Sequence, residues 1–383
     1  MKIHGFTAPG FDGLRAALAS NFAKNGEVGA ACCIYHRGAV VADLWAGDAD
    51  REAGLAWQED TLGIVFSATK GVTAIALNLL IERGRIDPDA AISHYWPEFA
   101  AAGKKDIPVS WLLAHRAGVP LVEAELKLDE VLAWDPVLAA IAAQKPIWEP
   151  GSKHGYHVRT YGWICGELVR RVTGTSFGKF LREEITHPLQ ADFAVGLAAE
   201  LEPRVFRLIP PQEPQDERTR AAFRKFTGPD TLLGKALHGP SDLFHYDEMW
   251  NTRALHAAEM PSSNGIGTAR GLAKLYAATI GPIDGIRLLN PETLARAIHP
   301  RSSGPDAILH LPSSFGLGFA LGDFLSQQAG PQAFGHPGAG GSLGMADAEA
   351  ELSIAYIMNR MALGMSGDPR AARLVKAAYD AIS

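Results

Sequence analysis

The sequence predicts an α/β protein of the α+β kind, in which an antiparallel sheet is flanked by helices and carries an inserted, mostly helical domain. Runs of β-branched and aromatic residues with Gly-containing turns occur near both chain ends, whereas the middle has helical periodicity interrupted by Pro and Gly. We therefore assign 1–85 and 265–383 to the sheet domain and 86–264 to the helical domain. From about 200 to 264, prolines and charges alternate without a period, which predicts an irregular lobe over a cleft.

The individual elements follow from the same periodicities. β-Rich runs at 28–36 and 39–47 meet at Arg37-Gly38, which predicts a hairpin. Further short strands are predicted at 315–321, 333–334, 342–346 and 351–358. Helices are predicted at 11–24, 68–83, 109–115, 130–143, 159–173, 177–184, 268–280 and 369–382. Strands from both chain ends would form one sheet, and the seam with the helical domain is where a ligand pocket is expected.

The composition and net charge of the chain limit the kinds of partner that we expect it to bind. The chain has 383 residues, of which 47% are hydrophobic and 20% charged, as is typical of a soluble globular protein of about two domains. Its formal net charge of −6 and its lack of a basic run argue against nucleic acid or an anionic membrane as the main partner and favour a small neutral or cationic ligand. The N-terminus lacks a signal-peptide pattern, and no apolar run approaches transmembrane length, so we expect a cytoplasmic protein.

Cysteine usage agrees with that expectation. Cys32 and Cys33 are adjacent inside a predicted strand, Cys165 lies inside a predicted helix, and the chain has no Cys-x-x-Cys pair. We therefore expect buried free thiols in a reducing compartment.

Ser67 and Lys70 are the first candidate pair for chemistry. Ser67 precedes the predicted helix at 68–83, and residues three apart on a helix are neighbours, so Lys70 projects beside Ser67. The rest of that helix is apolar nearly all round, which leaves the lysine poorly solvated and favours its neutral form, a base for Ser67. The alternative is that Ser67 caps the helix and Lys70 extends to solvent.

Two later segments carry the other candidates. Tyr156 lies in a glycine-flanked loop before the predicted helix at 159–173, so its hydroxyl could point into a cleft. Near the C-terminus, 335–342 is rich in glycine and precedes a strand. Glycine lets a backbone N–H group approach a substrate oxygen closely, as an oxyanion hole requires.

Three motifs therefore occur in a fixed order along nearly the whole chain. Ser67-Ala68-Thr69-Lys70 matches Ser-x-x-Lys, Tyr156-His157-Val158 stands in the place of Tyr-x-Asn, and His336-Pro337-Gly338 stands in the place of Lys-Thr-Gly. With these motifs the chain resembles the serine β-lactamase and penicillin-binding-protein superfamily, and within it class C β-lactamases and family VIII carboxylesterases. This combination is far more specific than any one of the motifs and favours catalysis over the capping alternative.

The resemblance implies a role for each motif. Ser67 would be the acylated nucleophile, and Lys70 and Tyr156 would share the work of the general base. The backbone N–H groups of Ser67 and Ala339 would form the oxyanion hole. Whether the amine or the phenolate takes the proton stays open, because the two groups titrate as a coupled pair. The resemblance implies no cofactor and no metal.

The departures from the family pattern concern the substrate. His336 and Pro337 replace the lysine and threonine that hold an antibiotic's carboxylate, and Val158 replaces an asparagine that would bind an acylamino chain. With His336, Gly338 and Val158 as substrate-binding residues, we predict a carboxylesterase for small, uncharged, short-acyl esters. The alternatives are a hydrolase of amides, either a weak β-lactamase or a D-amino-acid peptidase, and a non-catalytic homologue that binds ligands.

Other residues invite competing interpretations. Gly340-Gly341-Ser342-Leu343-Gly344 matches the Gly-x-Ser-x-Gly nucleophile elbow, but strand-like sequence follows Ser342 where the elbow needs a helix. His115, His154 and His157 lack the spacing of metal ligands, so structural roles are expected for them. Several aromatic residues would either line the pocket or fix the lobe in place; they are Trp148, Phe244, Tyr246 and Trp250.

Overall fold

The structure is a computed structural model that describes residues 2–214, 216–364 and 366–383. Its strands in chain order are β1 His4–Thr7, β2 Gly29–His36, β3 Ala39–Asp50, β4 Leu55–Ala56, β5 Gly63–Ile64, β6 Phe193–Ala194, β7 Ile266–Gly267, β8 Ser302–Pro305, β9 Pro312–Phe315, β10 Ala320–Leu321, β11 Ala333–Pro337, β12 Leu343–Asp347 and β13 Leu352–Met358. Its α-helices are α1 Asp12–Lys24, α2 Thr69–Glu82, α3 Ile92–Tyr95, α4 Val109–Leu113, α5 Leu128–Leu132, α6 Asp135–Ala143, α7 Thr160–Thr173, α8 Phe177–Leu181, α9 Glu217–Thr227, α10 Leu232–His238, α11 Arg253–Ala257, α12 Ala269–Ile280, α13 Pro291–Ile298, α14 Gly322–Leu325 and α15 Pro369–Asp380.

The large sheet is antiparallel and joins both ends of the chain. Its strand order is β1-β3-β2-β13-β12-β11-β10-β9-β8, and β4 extends β3 at one end. The two ends of the chain meet where β2 pairs with β13, with Ile34 opposite Ile354. This confirms the predicted antiparallel sheet and its assembly from the two ends of the chain.

Both faces of this sheet are covered by helices. Cys32 and Ile34 belong to an apolar core with α1 and α15, whereas Cys33 and Tyr35 point to a second core with α2 and α12. Successive residues of a strand face opposite sides, so burial on both faces explains why β2 is apolar throughout. Cys32, Cys33 and Cys165 are free and buried, as the sequence predicts.

Helix α2 lies at the centre of the molecule and positions the candidate nucleophile. All its residues from Thr69 to Ile81 are buried, which agrees with its apolar sequence. A small second sheet, β5-β7-β6, joins the segment before α2 to β6 of the helical part through the central strand β7. The segment just before α2 is therefore held by the pairing of β5 with β7.

Two predicted elements are interrupted in the structure. The single strand predicted at 315–321 is wrong, because β9 and β10 are separated by a turn with Gly318 at φ 92°. A Cβ at Gly318 would lie 2.5 Å from the Tyr161 hydroxyl and 2.7 Å from the Ala74 Cβ, so the break lets the sheet pack closely on α2 and α7. The helix predicted at 130–143 is divided into α5 and α6 by Trp134, at φ 72°.

The lobe at about 200–264 is more regular than predicted. It contains α9, α10 and α11, where the sequence led us to expect an irregular segment. These helices are short, and side-chain caps define two of their starts: the Thr219 N–H donates to Asp216 Oδ1 (2.8 Å) and the Gly234 N–H to Thr231 Oγ1 (2.9 Å). Helices α10 and α11 have seven and five residues, too few for a clear hydrophobic period, whereas α9 has eleven residues but is mostly polar and buries none of its side chains.

No helix within the described ranges combines the length and the apolar character that crossing a bilayer requires.

Candidate active site

Ser67 lies in a tight turn at the entrance to α2. It belongs to a short 3₁₀ turn, Phe66–Ala68, and 9% of the residue is exposed. Phe66 has φ 46°, an unusual value for a residue with a side chain and a local strain that the surroundings must hold. Thr69 Oγ1 holds this turn by donating to the Phe66 carbonyl (2.5 Å) and accepting from the Gly265 N–H (2.9 Å). The turn thus fixes the position of the Ser67 hydroxyl.

The Lys70 amine faces that hydroxyl from inside the protein. Lys70 Nζ is 3.3 Å from Ser67 Oγ, 2.6 Å from the Val158 carbonyl oxygen and 3.0 Å from the Ser262 carbonyl oxygen. A neutral amine has two N–H donors and one lone pair, whereas an ammonium has only donors. If the two carbonyls accept the two N–H groups, the lone pair is directed at Ser67.

Burial and one neighbouring cation favour the neutral amine. Lys70 is fully buried, and burial lowers its pKa well below the usual value, with a further lowering from the charge of Arg159. Arg159 is itself buried and donates to the Leu237 carbonyl (2.9 Å from Nε) and to Ser263 Oγ (3.3 Å). Across the described residues, it has no carboxylate within ion-pair distance. Its positive charge therefore acts on Lys70 without a compensating anion.

The Tyr156 phenol completes the group. The ring lies beside the Lys70 amine, which is 4.8 Å from its centroid, and the side chain is buried. Burial raises the pKa of Tyr156, and the neighbouring Ser67 hydroxyl lowers it by less. The phenol is therefore protonated at neutral pH and adjoins both the hydroxyl and the amine.

Asp306 holds the backbone of Tyr156 in place. Its Oδ1 accepts hydrogen bonds from the N–H groups of Tyr156 (3.0 Å), Ile308 (2.8 Å) and Leu309 (2.9 Å). The Tyr156 ring also stacks on Phe315, with centroids 6.0 Å apart and ring planes within 14°. Asp306 was not predicted, because nothing in its local sequence points to a residue 150 positions earlier.

His336 faces Tyr156 and is fully buried. Its Nδ1 donates to the Pro337 carbonyl (2.7 Å), so Nε2 carries the lone pair that can accept the Tyr156 hydroxyl, 3.4 Å away. Burial, with a smaller effect of Lys70, lowers the pKa of His336 to about 3, so the ring is neutral. We predicted His336 as a substrate-binding residue, and the structure places its ring against the Tyr156 ring, with centroids 5.8 Å apart.

The glycine-rich turn after β11 packs directly on the Ser67 turn. The Gly338 N–H donates to the Ser342 carbonyl, and Ser342 Oγ donates to the Val65 carbonyl, each at 2.7 Å. A Cβ at Gly338 would lie 2.1 Å from Ser342 Oγ and 2.2 Å from the Val65 oxygen, so only glycine fits. Within the described part of the chain, the N–H groups of Ser67 and Ala339 have no protein acceptor.

The chain was also compared with known proteins. The family model described as Beta-lactamase matches residues 14–379, nearly the full length. The chain belongs to the beta-lactamase family. This confirms the resemblance drawn from the three motifs.

Relatives within the beta-lactamase family include named esterases. The chain is 33% identical to "Esterase/beta-lactamase LipL" of Mycobacterium tuberculosis over 94% of this chain and 83% of the relative. A crystal structure titled as a family VIII carboxylesterase superposes with a TM-score of 0.89 at 36% identity, covering 100% of both chains. EstA from Arthrobacter nitroguajacolicus Rue61a gives a TM-score of 0.89 at 30% identity over 99% and 98% of the two chains. The chain is a serine hydrolase of this family.

One similar structure has a different title. A penicillin-binding-protein homologue from Caulobacter crescentus is 36% identical, has a TM-score of 0.88 and covers 100% of both chains. The fold shared with the penicillin-binding proteins is therefore as close as that shared with the esterases. Fold similarity alone does not choose between their substrates.

Ser342 does not have the geometry of a nucleophile elbow. Its side chain is 1% exposed, its hydroxyl donates to the Val65 carbonyl, and β12 follows it directly. The elbow of α/β-hydrolases instead requires an exposed serine between a strand and a helix.

The three histidines considered as metal ligands have hydrogen-bonding partners instead. His157 accepts from the Val119 N–H (3.1 Å), His115 accepts from the His157 N–H (3.1 Å), and His154 bonds to Ser313 (3.1 Å). These contacts position the loop that carries Tyr156, in agreement with the structural roles predicted for them.

A different trio has a geometry that could hold a metal ion. In the lobe, His238, Asp242 and His245 bring ligand atoms within 4.8 Å of one another. Asp242 already lies 3.5 Å from His238 and 3.3 Å from His245, so contacts within the trio account for the grouping. The Ser67 chemistry makes no use of it.

Val158 contacts the site through its backbone. Its carbonyl accepts from Lys70, while its side chain is 2% exposed and packs in an apolar cluster with Leu121, Trp148 and Leu237. We predicted a substrate contact for this side chain, and the structure places it in the core. Phe244 and Trp250 are also buried, under Arg159, whose guanidinium carbon lies 4.5 Å and 5.4 Å from their ring centroids. Both aromatic residues therefore fix the lobe in place.

A cavity of about 510 Å³ adjoins the glycine-rich turn. Its lining includes Gly338, Ser342, Phe324 and Leu311, and thus combines turn backbone with apolar side chains. Ser67, Lys70 and Tyr156 are not among its lining residues.

Proposed function

We propose that this protein is a carboxylesterase that hydrolyses small, uncharged esters with short acyl groups through an acyl-enzyme on Ser67. The observation that carries the proposal is the set of contacts of Lys70. Its amine is buried 3.3 Å from Ser67 Oγ, with two carbonyls positioned to take its N–H groups. A nucleophile beside a base that is neutral at working pH is the arrangement that covalent catalysis requires.

In the first half of the reaction, Ser67 Oγ attacks the ester carbonyl carbon. The hydroxyl proton passes to the Lys70 amine, whose new ammonium is held by the Val158 and Ser262 carbonyls. Charge develops on the former carbonyl oxygen, and the N–H groups of Ser67 and Ala339 would donate to it. The carbon–oxygen bond to the alcohol then breaks, and the alcohol leaves with a proton returned by the Lys70–Tyr156 pair.

In the second half, water replaces the alcohol. The pair takes a proton from water, the resulting hydroxide attacks the acyl carbon, and the bond to Ser67 breaks as Ser67 regains its proton. Tyr156 enters as a neutral phenol because burial raises its pKa. His336 accepts from the phenol through Nε2, 3.4 Å away, and holds its orientation.

The surroundings of the turn support an uncharged substrate. His336 is neutral because burial lowers its pKa to about 3, and Pro337 has no N–H donor. Neither supplies the positive charge that would hold a substrate carboxylate. Arg159 cannot replace them, since it is buried and donates to Leu237 and Ser263. The names of the esterase relatives support an ester as the substrate.

Hydrolysis of β-lactam amides is the second candidate. It is favoured by the name of the Mycobacterium tuberculosis relative, which joins esterase and β-lactamase. The same acylation chemistry would open a lactam ring, but neither His336 nor Pro337 supplies a cation for the carboxylate of the antibiotic. We therefore expect weak β-lactam turnover.

The test compares three substrates with purified full-length protein. We expect kcat/KM to be highest for a short aryl ester such as p-nitrophenyl acetate, low for nitrocefin and low for a D-alanyl amide. Lengthening the acyl chain should lower kcat/KM for the ester. A clearly higher kcat/KM for either amide than for the ester would overturn the esterase proposal. Even then, loss of all three activities in Ser67→Ala would still support Ser67 as the nucleophile.

A further inference from the structure

Helix α9 is an exposed helix in the lobe. Each of its residues from Glu217 to Phe226 is at least partly exposed, and the helix buries none of its side chains. Phe223 and Phe226 are 41% and 52% exposed. They lie three residues apart and therefore share one side of the helix. This apolar side is therefore only partly covered by the rest of the described chain.

The two phenylalanines are part of a larger apolar rim. Large hydrophobic side chains that are exposed in the described residues are Phe6, Leu55, Phe223, Phe226, Leu232, Leu311 and Leu363. The last five form what we call the apolar rim. Leu232 begins α10, which follows α9 in the chain. The ring of Phe226 lies 6.5 Å from the ring of His310, which precedes Leu311. Leu311 and Leu363 both line the 510 Å³ cavity. Most of the exposed apolar bulk thus lies on one side of the molecule.

The same helix carries a concentration of positive charge. Arg218, Arg220, Arg224 and Lys225 lie within α9, whereas Glu217 is its only acidic residue. Arg220 pairs with Glu217 at 2.6 Å. The other three cations have no carboxylate within 4.0 Å among the residues that the structure describes. This local charge is opposite to the net charge of −6 of the chain.

We propose that α9 and the apolar rim form a docking surface for an anionic lipid surface. A helix with exposed aromatic side chains on one side and Arg and Lys around them is suited to lie at a membrane interface, where the rings enter the acyl boundary and the cations meet lipid phosphates. The negative net charge of the whole chain argues against an anionic partner. That charge is a sum over all residues, whereas binding depends on the positive charge of the α9 surface itself.

The charge pattern disfavours the main alternative occupant. A second copy docking through the same face would use a two-fold contact, in which each patch meets itself. The three unpaired cations of one copy would then face those of the other, and like charges repel at such contacts. An anionic lipid surface meets both the apolar and the cationic parts of the patch.

The test is sedimentation of the purified full-length protein with vesicles. We expect the protein to sediment with vesicles of equal parts phosphatidylcholine and phosphatidylglycerol at low salt, to be released at high salt, and to stay in solution with phosphatidylcholine alone. The double variants Phe223→Ser/Phe226→Ser and Arg224→Glu/Lys225→Glu should each lower the bound fraction at least fivefold. All variants should keep wild-type turnover of a soluble aryl ester.

The matched control is Phe6→Ser/Leu55→Ser, which removes two similarly exposed apolar side chains outside the rim and should bind like the wild type. No sedimentation of the wild type with the anionic vesicles, or undiminished sedimentation of both α9 variants, would overturn the proposal. If light scattering shows that the wild type is a dimer and that Phe223→Ser/Phe226→Ser is a monomer, the α9 surface would be assigned to a second copy of the chain instead. Ser67→Ala should bind vesicles normally, so this result is separate from the fate of the esterase proposal.

Discussion

Lys70 owes its chemistry to the groups around it. The titratable side chains around the Lys70 amine are Arg159, Cys165, Tyr156, His115, His157 and His336. In the described ranges none of its neighbours at ion-pair distance is a carboxylate, and the one certain charge, on Arg159, is positive. The spacing of Ser67 and Lys70 was enough to predict their proximity, because helix geometry fixes it. The groups that favour a neutral Lys70 amine come from distant segments of the chain, namely the Val158 and Ser262 carbonyls and the charged Arg159. The sequence alone therefore did not decide whether Lys70 or Tyr156 accepts the proton.

Replacement of Arg159 should change the pH dependence of the reaction. Arg159 lowers the pKa of Lys70, so Arg159→Gln should raise that pKa. Since protonated Lys70 is inactive as a base, the acidic limb of kcat/KM for a short aryl ester should move to higher pH. At a fixed pH on that limb, activity should fall about tenfold for every pH unit by which the limb moves.

Arg159→Lys is the matched control, because it keeps the charge and removes the fork that bonds to Leu237. Its acidic limb should stay close to that of the wild type even if stability falls. An acidic limb of Arg159→Gln that coincides with the wild-type limb would show that Arg159 does not tune Lys70.

Tyr156→Phe isolates the phenol hydroxyl. The ring should keep its stacking on Phe315, so the fold should be retained, while His336 Nε2 loses its donor at a cost of about 1 kcal/mol in unfolding free energy. Loss of a proton-transfer group should lower kcat by about 10²- to 10⁴-fold with little change in KM. Steady-state kinetics and urea denaturation measure both effects, and near-normal kcat in a folded variant would remove Tyr156 from the mechanism.

At the scale of elements, Asp306 links the turn before β9 to the loop before α7. Its Oδ1 accepts three backbone N–H groups, so Asp306→Ala should cost about 3 kcal/mol of unfolding free energy and lower kcat by displacing Tyr156. Asp306→Asn keeps an oxygen at that place and should restore most of both losses. We would measure urea denaturation and kcat; equal losses in both variants would contradict a positioning role.

The turn after β11 should not tolerate a side chain. Gly338→Ala would place its Cβ 2.1 Å from Ser342 Oγ, so we expect a destabilisation of about 1–3 kcal/mol and a large loss of kcat. Gly281→Ala is the control, since no atom lies within 4 Å of its would-be Cβ, and should change stability by less than about 0.5 kcal/mol. Thermal unfolding and ester kinetics test this, and a fully active Gly338→Ala would argue against close packing of the two turns.

How far the sequence predicts an element depends on its length and surroundings. Helices α2, α7 and α12 are within a residue or two of their predicted bounds, because each has several turns of consistent pattern. The break at Gly318 was missed because its cause is a contact with Tyr161 and Ala74, which are distant in sequence. Helices α10 and α11 were missed because seven and five residues are too few to show a period, and α9 was missed because its sequence is mostly polar.

At the scale of the whole molecule, the site is formed by segments that the fold brings together. Ser67 and Lys70 begin the central helix, Tyr156 comes from a loop before α7, and Ala339 follows β11 of the sheet. The order of the three motifs allowed this convergence to be predicted from resemblance. The division at residues 85 and 265 into a sheet domain and a helical domain remains our proposal.

The central claim is that Ser67 is the residue that becomes acylated. Its most direct test is reaction of the wild type and Ser67→Ala with a fluorophosphonate probe, followed by mass spectrometry of the modified peptide. We predict a single adduct on Ser67, none in Ser67→Ala, and loss of ester turnover in that variant. An adduct on Ser342, or undiminished turnover by Ser67→Ala, would contradict the account.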